Sequence, residues 1–141
     1  MKRVFQFLKK NINEQPVLKL PDFNHPFQVK CDASRVAIRV VLSQENKPIA
    51  YFSEKLNDAK QKYSSYDKEI YAIVQVIKHW RHYLMPREFV LYSGNHALQY
   101  IMQQPKLNLK HVKWVEFLQR FTFLLKHISG FVLKQIWDLS I

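Results

Sequence analysis

The chain has only two glycines, Gly94 and Gly130, in 141 residues. Tight turns and close backbone approaches therefore fall mostly to other residue types. A single cysteine, Cys31, excludes an internal disulfide and argues against thiolate metal binding. It lies in an alternating apolar run and reads as a buried structural thiol. No apolar run approaches the length that spans a bilayer. The opening MKRVFQFLKK returns to lysine too soon for a signal peptide, so a soluble, intracellular protein, cytoplasmic or nuclear and not secreted, is expected. Acidic residues are also scarce: 11 Asp and Glu against 22 Lys and Arg give a net charge of +11. Such an imbalance attracts polyanions, with nucleic acid the natural partner. The basic residues run along the chain, from Lys9, Lys30 and Arg39 through Lys62, Arg81 and Arg87 to Lys110, Lys113 and Lys126. That spread suits a folded face better than a disordered arm, although a generically basic surface would look the same.

What is present is apolar and aromatic: 48% hydrophobic and 14% aromatic residues, enough for one globular domain with a core. Residues 5–12 suit a short helix. The segment QPVLKLPDFNHP carries three prolines and reads as an extended connector, a tether from something upstream. The alternation of Phe27, Val29 and Cys31 with Gln28, Lys30 and Asp32 has the period of a half-buried strand that ends on Asp32. A turn at Ala33–Arg35 leads to a strand over Val36–Leu42, and a turn at Gln44–Lys47 to a third over Ile49–Phe52, an antiparallel meander. Tyr66, Ile70, Ile73, Val74, Ile77 and Leu84 then recur at helical steps, which predicts one long amphipathic helix capped by Ser64 or Ser65 and ended by Pro86. Glu88–Tyr92 reads as a strand, Ala97–Met102 and His111–Arg120 as helices, and Phe121–Ile128 as the last strand. The order βββαβααβ describes a mixed α/β layer.

The segments PVLKLPDFNHPFQVKCDAS, VLSQENKPIAYFSEKL, YSSYDKEIYAIVQVIKHWRHYL, EFVLYS, ALQYI and KWVEFLQRFTFLLKHISG cover nearly everything from Pro16 to Gly130. In sequence and order they resemble the reverse-transcriptase RNase H domain of gypsy-type LTR retrotransposons, a fragment of a Pol polyprotein. The resemblance implies an α/β RNase H-like fold, a five-stranded mixed sheet with flanking helices, over residues 27–141. Residues 1–26 become an N-terminal helix and connector from an absent polymerase half. It also implies endonucleolytic cleavage of RNA in RNA–DNA hybrids with two magnesium ions, manganese being the possible substitute. In such a reaction two divalent metals clamp the attacking water and the leaving oxygen, and hard cations require carboxylate oxygens.

The family's four carboxylates map unevenly onto this chain. The first, in Asp-Ala-Ser, falls on Asp32, and the second, in Tyr-Asp-Lys-Glu, on Glu69. The third, normally the Asp of Ser-Asp-His, falls on Gly94 in Tyr92-Ser93-Gly94-Asn95-His96. The fourth corresponds to Asp138, displaced by about one residue after Gly130, and one residue on a helix turns a side chain by roughly 100°. The family's glycines after Asp-Ala-Ser are replaced, the hairpin here holding Arg35, Ala37 and Arg39, bulky residues beside Asp32 that could disturb the approach of nucleic acid or metal or equally point outward as solvated side chains.

Each site residue also has a plainer reading. Asp32 alone would be a turn residue; Glu69 and Asp67 would complement a helix dipole, although Ile73, four residues after Glu69, turns Glu69 toward the sheet. His96 and Asn95 are poor replacements for an anionic magnesium ligand. His111, Lys113 and Trp114 could contact a phosphate backbone, Trp114 fitting a core position better. Three functions follow: a hybrid nuclease with Asp32, Glu69 and Asp138 as remaining ligands, a non-catalytic nucleic-acid-binding remnant, and a structural support within a longer polymerase. The missing carboxylate favours the second, and no DNA synthesis is expected of this chain.

Overall fold

The computed structural model describes residues 19–94, 96–105 and 108–127, so the helix expected over 5–12, Asn95 and Asp138 lie outside the described residues. Five strands form one sheet: β1 (Gln28–Ala33), β2 (Ala37–Gln44), β3 (Lys47–Lys55), β4 (Phe89–Ser93) and β5 (Phe123–His127). Their spatial order is β3-β2-β1-β4-β5. The first three are an antiparallel meander, as the turn signals imply, whereas β4 joins β1, and β5 joins β4, in parallel. The two-residue turn between β2 and β3 puts Glu45 (φ 52°) and Asn46 (φ 61°) in the left-handed region. Both central positions of this hairpin need positive φ, and in a chain short of glycine they are filled by side-chain-bearing residues.

Five helices connect the strands: α1 (Asp58–Gln61), α2 (Ser65–His79), α3 (Arg81–Leu84), α4 (Ala97–Met102) and α5 (Leu109–Leu118). Ser64 caps α2, its hydroxyl accepting from the Asp67 N–H at 3.1 Å. Two differences from the sequence reading stand out here. The long helix expected to reach Pro86 breaks at Trp80 (φ −107°, ψ 33°), whose indole is buried edge-on against Phe52. The short α1 was not expected; it is started by Asn57, whose side chain accepts from the Lys60 N–H.

One side of α2 carries Ile70, Ile73, Val74 and Ile77, buried in one cluster with Phe27 just before β1, Val29 and Cys31 of β1, Val40 and Leu42 of β2 and Leu91 of β4. Burying each such side chain contributes roughly 1.5–3 kcal/mol. Tyr66 departs from the expected apolar stripe and lies at the surface, stacked on Tyr100 at 4.6 Å. β1 is also more buried than a half-exposed strand, because it is the central strand. Its Lys30 is covered, with the ammonium 5.6 Å from the Tyr92 ring centroid and donating to Asn46 Oδ1 at 3.4 Å. Desolvation lowers its pKa.

The connector is docked at the other end of the meander. Gln44 is fully buried, and its Nε2 donates to the carbonyls of Asp22 (2.6 Å) and His25 (2.9 Å), while its Oε1 accepts from the Asp22 N–H (2.8 Å). Lys19 N–H donates to the Pro48 carbonyl at 2.8 Å. Among the described residues no helix is long and apolar enough to cross a membrane.

Candidate active site

Parallel pairing of β1 with β4 aligns Cys31 with Ser93. The next residues along the two strands are Asp32 and Gly94, so the adjacent ends of the central strands offer one carboxylate and one hydrogen atom where the resemblance implies two carboxylates. Gly94 is a half-buried bend directly after β4.

Glu69 enters from the first turns of α2, a buried residue at 6% exposure. Its Oε2 accepts from the Ser93 hydroxyl at 3.0 Å. Burial pushes its pKa up to about 7; the Ser93 hydroxyl and the Ala33 N–H oppose the rise, and the charge of Asp32 adds to it. Asp32, half-buried, is also shifted upward by desolvation, with Arg39 and the Ala33 N–H acting the other way. Both carboxylates therefore converge on one backbone amide, that of Ala33. Beneath them Cys31 is fully buried, as expected for a structural thiol, and burial together with Glu69 and Asp32 raises its pKa well above the ordinary value.

The structure thus brings Asp32, Glu69 and the Gly94 backbone together. Among the described residues no group of three or more His, Cys, Asp or Glu side chains is placed to hold a metal ion. His96 is exposed; its ring stacks on His127 at 4.1 Å and its Nδ1 lies 2.8 Å from Gln99 Oε1. Asp67 goes beyond the role of dipole partner, binding Lys110 and His111 of α5, each at 2.8 Å. Burial acts to raise its pKa, but these two partners prevail and hold it low. Lys110 lies over the Tyr63 ring at 4.1 Å, and Trp114 packs edge-on against Tyr63, so His111 and Trp114 serve to pin α5 and Lys113 stays exposed.

One residue of the site was given no role from the sequence, and another was named there only as a bulky replacement for glycine beside Asp32. Ser93, the hydrogen-bond donor to Glu69, lay inside a quoted motif without a role. Arg39 stands directly opposite Asp32 in the β1–β2 register. A turn centred on Arg35 and Val36 forces that pairing, so the sequence held the signal.

Five strands in this order with these helices define the RNase H-like fold, which solved structures share. Foamy viral protease-reverse transcriptase in complex with RNA/DNA hybrid superposes with a TM-score of 0.68 at 18% identity, over 92% of this chain and 19% of that one. RNase H1 from the halophilic archaeon Halobacterium salinarum gives 0.61 at 12% identity, over 82% and 94%. Residues 22–121 match the family described as RNase H-like domain found in reverse transcriptase, and the chain belongs to that family. The retrovirus-related Pol polyprotein from transposon 297 of Drosophila melanogaster is 37% identical over 126 residues. That alignment takes in 89% of this chain and 12% of the polyprotein, so the chain spans about an eighth of that relative's length.

Proposed function

We propose that the chain is the RNase H-like domain of a gypsy-type retrotransposon reverse transcriptase that binds nucleic acid, an RNA–DNA hybrid in the first place, with cleavage impaired or lost. The observation that carries this reading is Gly94 beside Asp32. A two-metal hydrolysis concentrates four positive charges at one phosphodiester and needs several anionic oxygens around them. Here Asp32 and Glu69 are the described carboxylates, and burial raises the pKa of Glu69 to about 7. This donor set does not fit two divalent cations, and Asp138, which would add a third carboxylate, lies outside the described residues.

Binding has a separate basis in the net charge of +11. Phosphate contacts release counterions from the nucleic acid, so affinity falls steeply as salt rises. Residues 1–26 are read as the tether to an upstream polymerase domain, with the RNase H-like unit following from residue 27.

The test is incubation with a hybrid labelled in its RNA strand, with magnesium, with manganese and without metal, beside an Asp32→Asn variant. Retention of the hybrid without cutting is expected. Metal-dependent cutting that disappears in Asp32→Asn would overturn the reading. Gly94→Asp, which restores the third carboxylate, is expected to recover cleavage by orders of magnitude.

A further inference from the structure

Glycine in the first hairpin is what the family resemblance implies, and this chain has Arg39 there. Antiparallel register pairs Asp32 with Arg39. Residues directly opposite each other in such a ladder project from the same face, with Cβ atoms about 4.5–5.5 Å apart. Arg39 is exposed, so its guanidinium keeps one side toward solvent, the side from which an ion or a phosphate would approach. The neighbouring position on β3 is Ser53, also exposed.

We propose that Arg39 is a built-in counter-cation of the carboxylate site. Its guanidinium takes up the charge of Asp32 that a divalent metal would otherwise neutralise, so a metal must displace or compete with a tethered positive charge. The electrostatics agree, since Arg39 opposes the upward shift that burial imposes on the Asp32 carboxyl. A guanidinium is suited to this position because it remains charged at every accessible pH and matches carboxylate geometry. The inference rests on reading Asp32 as a metal-ligand position. It adds that two changes block metal entry, one that removes an anion at Gly94 and one that supplies a cation at Arg39.

The two are separable by titrating manganese into the full chain and following free Mn²⁺ by its electron paramagnetic resonance signal. The proteins are the unaltered chain, Gly94→Asp, Gly94→Asp with Arg39→Gln, and Gly94→Asp with Arg39→Lys. Circular dichroism checks that each is folded. Removing the cation is expected to tighten Mn²⁺ binding at least about tenfold over Gly94→Asp alone, the scale on which groups around a metal site change its affinity. Arg39→Lys, which keeps the charge, should bring no such gain. Equal affinity of Gly94→Asp with and without Arg39→Gln, no measurable binding by either, or the same gain with Lys would each overturn the proposal. Parallel cleavage assays keep the two readings apart. If Gly94→Asp alone binds and cuts fully, the arginine inference fails and the Gly94 reading stands. If Arg39→Gln tightens binding tenfold without restoring cutting, the reverse holds.

Discussion

Glu69 and Ile73 lie one helical turn apart on α2, both buried on the side that faces the sheet, and they follow opposite rules. Ile73 is fully buried in the apolar cluster that its side chain prefers. Glu69 is held in similar surroundings as an ionisable group, with the Ser93 hydroxyl and the Ala33 N–H as partial compensation. Stability is concentrated around Ile73, and the unfavourable burial of an acid is confined to the corner where Asp32, Gly94 and Arg39 meet. A buried acid in that position costs free energy whenever it ionises, so its persistence is better explained by chemistry inherited from the fold than by stability.

The contrast predicts unequal responses to substitution. Ile73→Ala should give the largest effect, a loss of 2–5 kcal/mol in denaturant unfolding, because it opens a cavity in the middle of the core. Glu69→Gln should act in the other direction and only over part of the pH range. The folded-state pKa of Glu69, about 7, lies above its ordinary 4.5. Its contribution to stability is therefore fully present below pH 4.5 and is lost as pH rises through 7. The variant should abolish that decline and be more stable than the parent at pH 8 by up to about 3 kcal/mol, with little difference at pH 4.5. Urea unfolding at the two pH values measures it; an unchanged pH slope would remove the distinction between the two residues. Asp67, with its lowered pKa, adds stability that is lost only at more acid pH, outside this window.

The smallest effect belongs to a position far from both. Glu45 sits at φ 52° in the β2–β3 turn, where asparagine is better accommodated. Glu45→Asn should raise stability slightly, less what the exposed contact to Lys19 contributes. A thermal melt that shows destabilisation would mean that the Lys19 contact, and the approach of the His25 ring to Glu45 at 3.8 Å, outweigh the backbone strain.

The sheet and its main helix could be read from the sequence because their signals are local and repeated: period two in β1 and β2, three- and four-residue steps in α2, and serine before its first turn. The parallel attachment of β4 and β5 carries no such signal; the resemblance implied a mixed sheet without saying which strands run parallel. The break at Trp80 was hidden because the apolar spacing continues to Leu84 across it, and side-chain periodicity does not report one residue's backbone angles. At the site, Asp32, Glu69 and Gly94 were found by motif, and the structure brings them together. The role of Ser93 and the pairing of Arg39 with Asp32 follow from the register, since each acts across strands or between strand and helix. Tyr66 was misplaced because it is the first member of the stripe, at the helix start, where it is exposed and stacks on Tyr100.

Gln44 has a mechanical consequence. Its three side-chain bonds fasten Asp22 and His25 to the end of β2, and Lys19 is tied to Pro48 at the start of β3. Tension applied along the connector from its N-terminal side is therefore carried first by the hairpin end of the sheet. The opposite ends of β1 and β4, where Asp32 and Gly94 lie, are shielded from that load. The carboxylate corner at Asp32 and Gly94 therefore lies at the end of the sheet away from this anchorage.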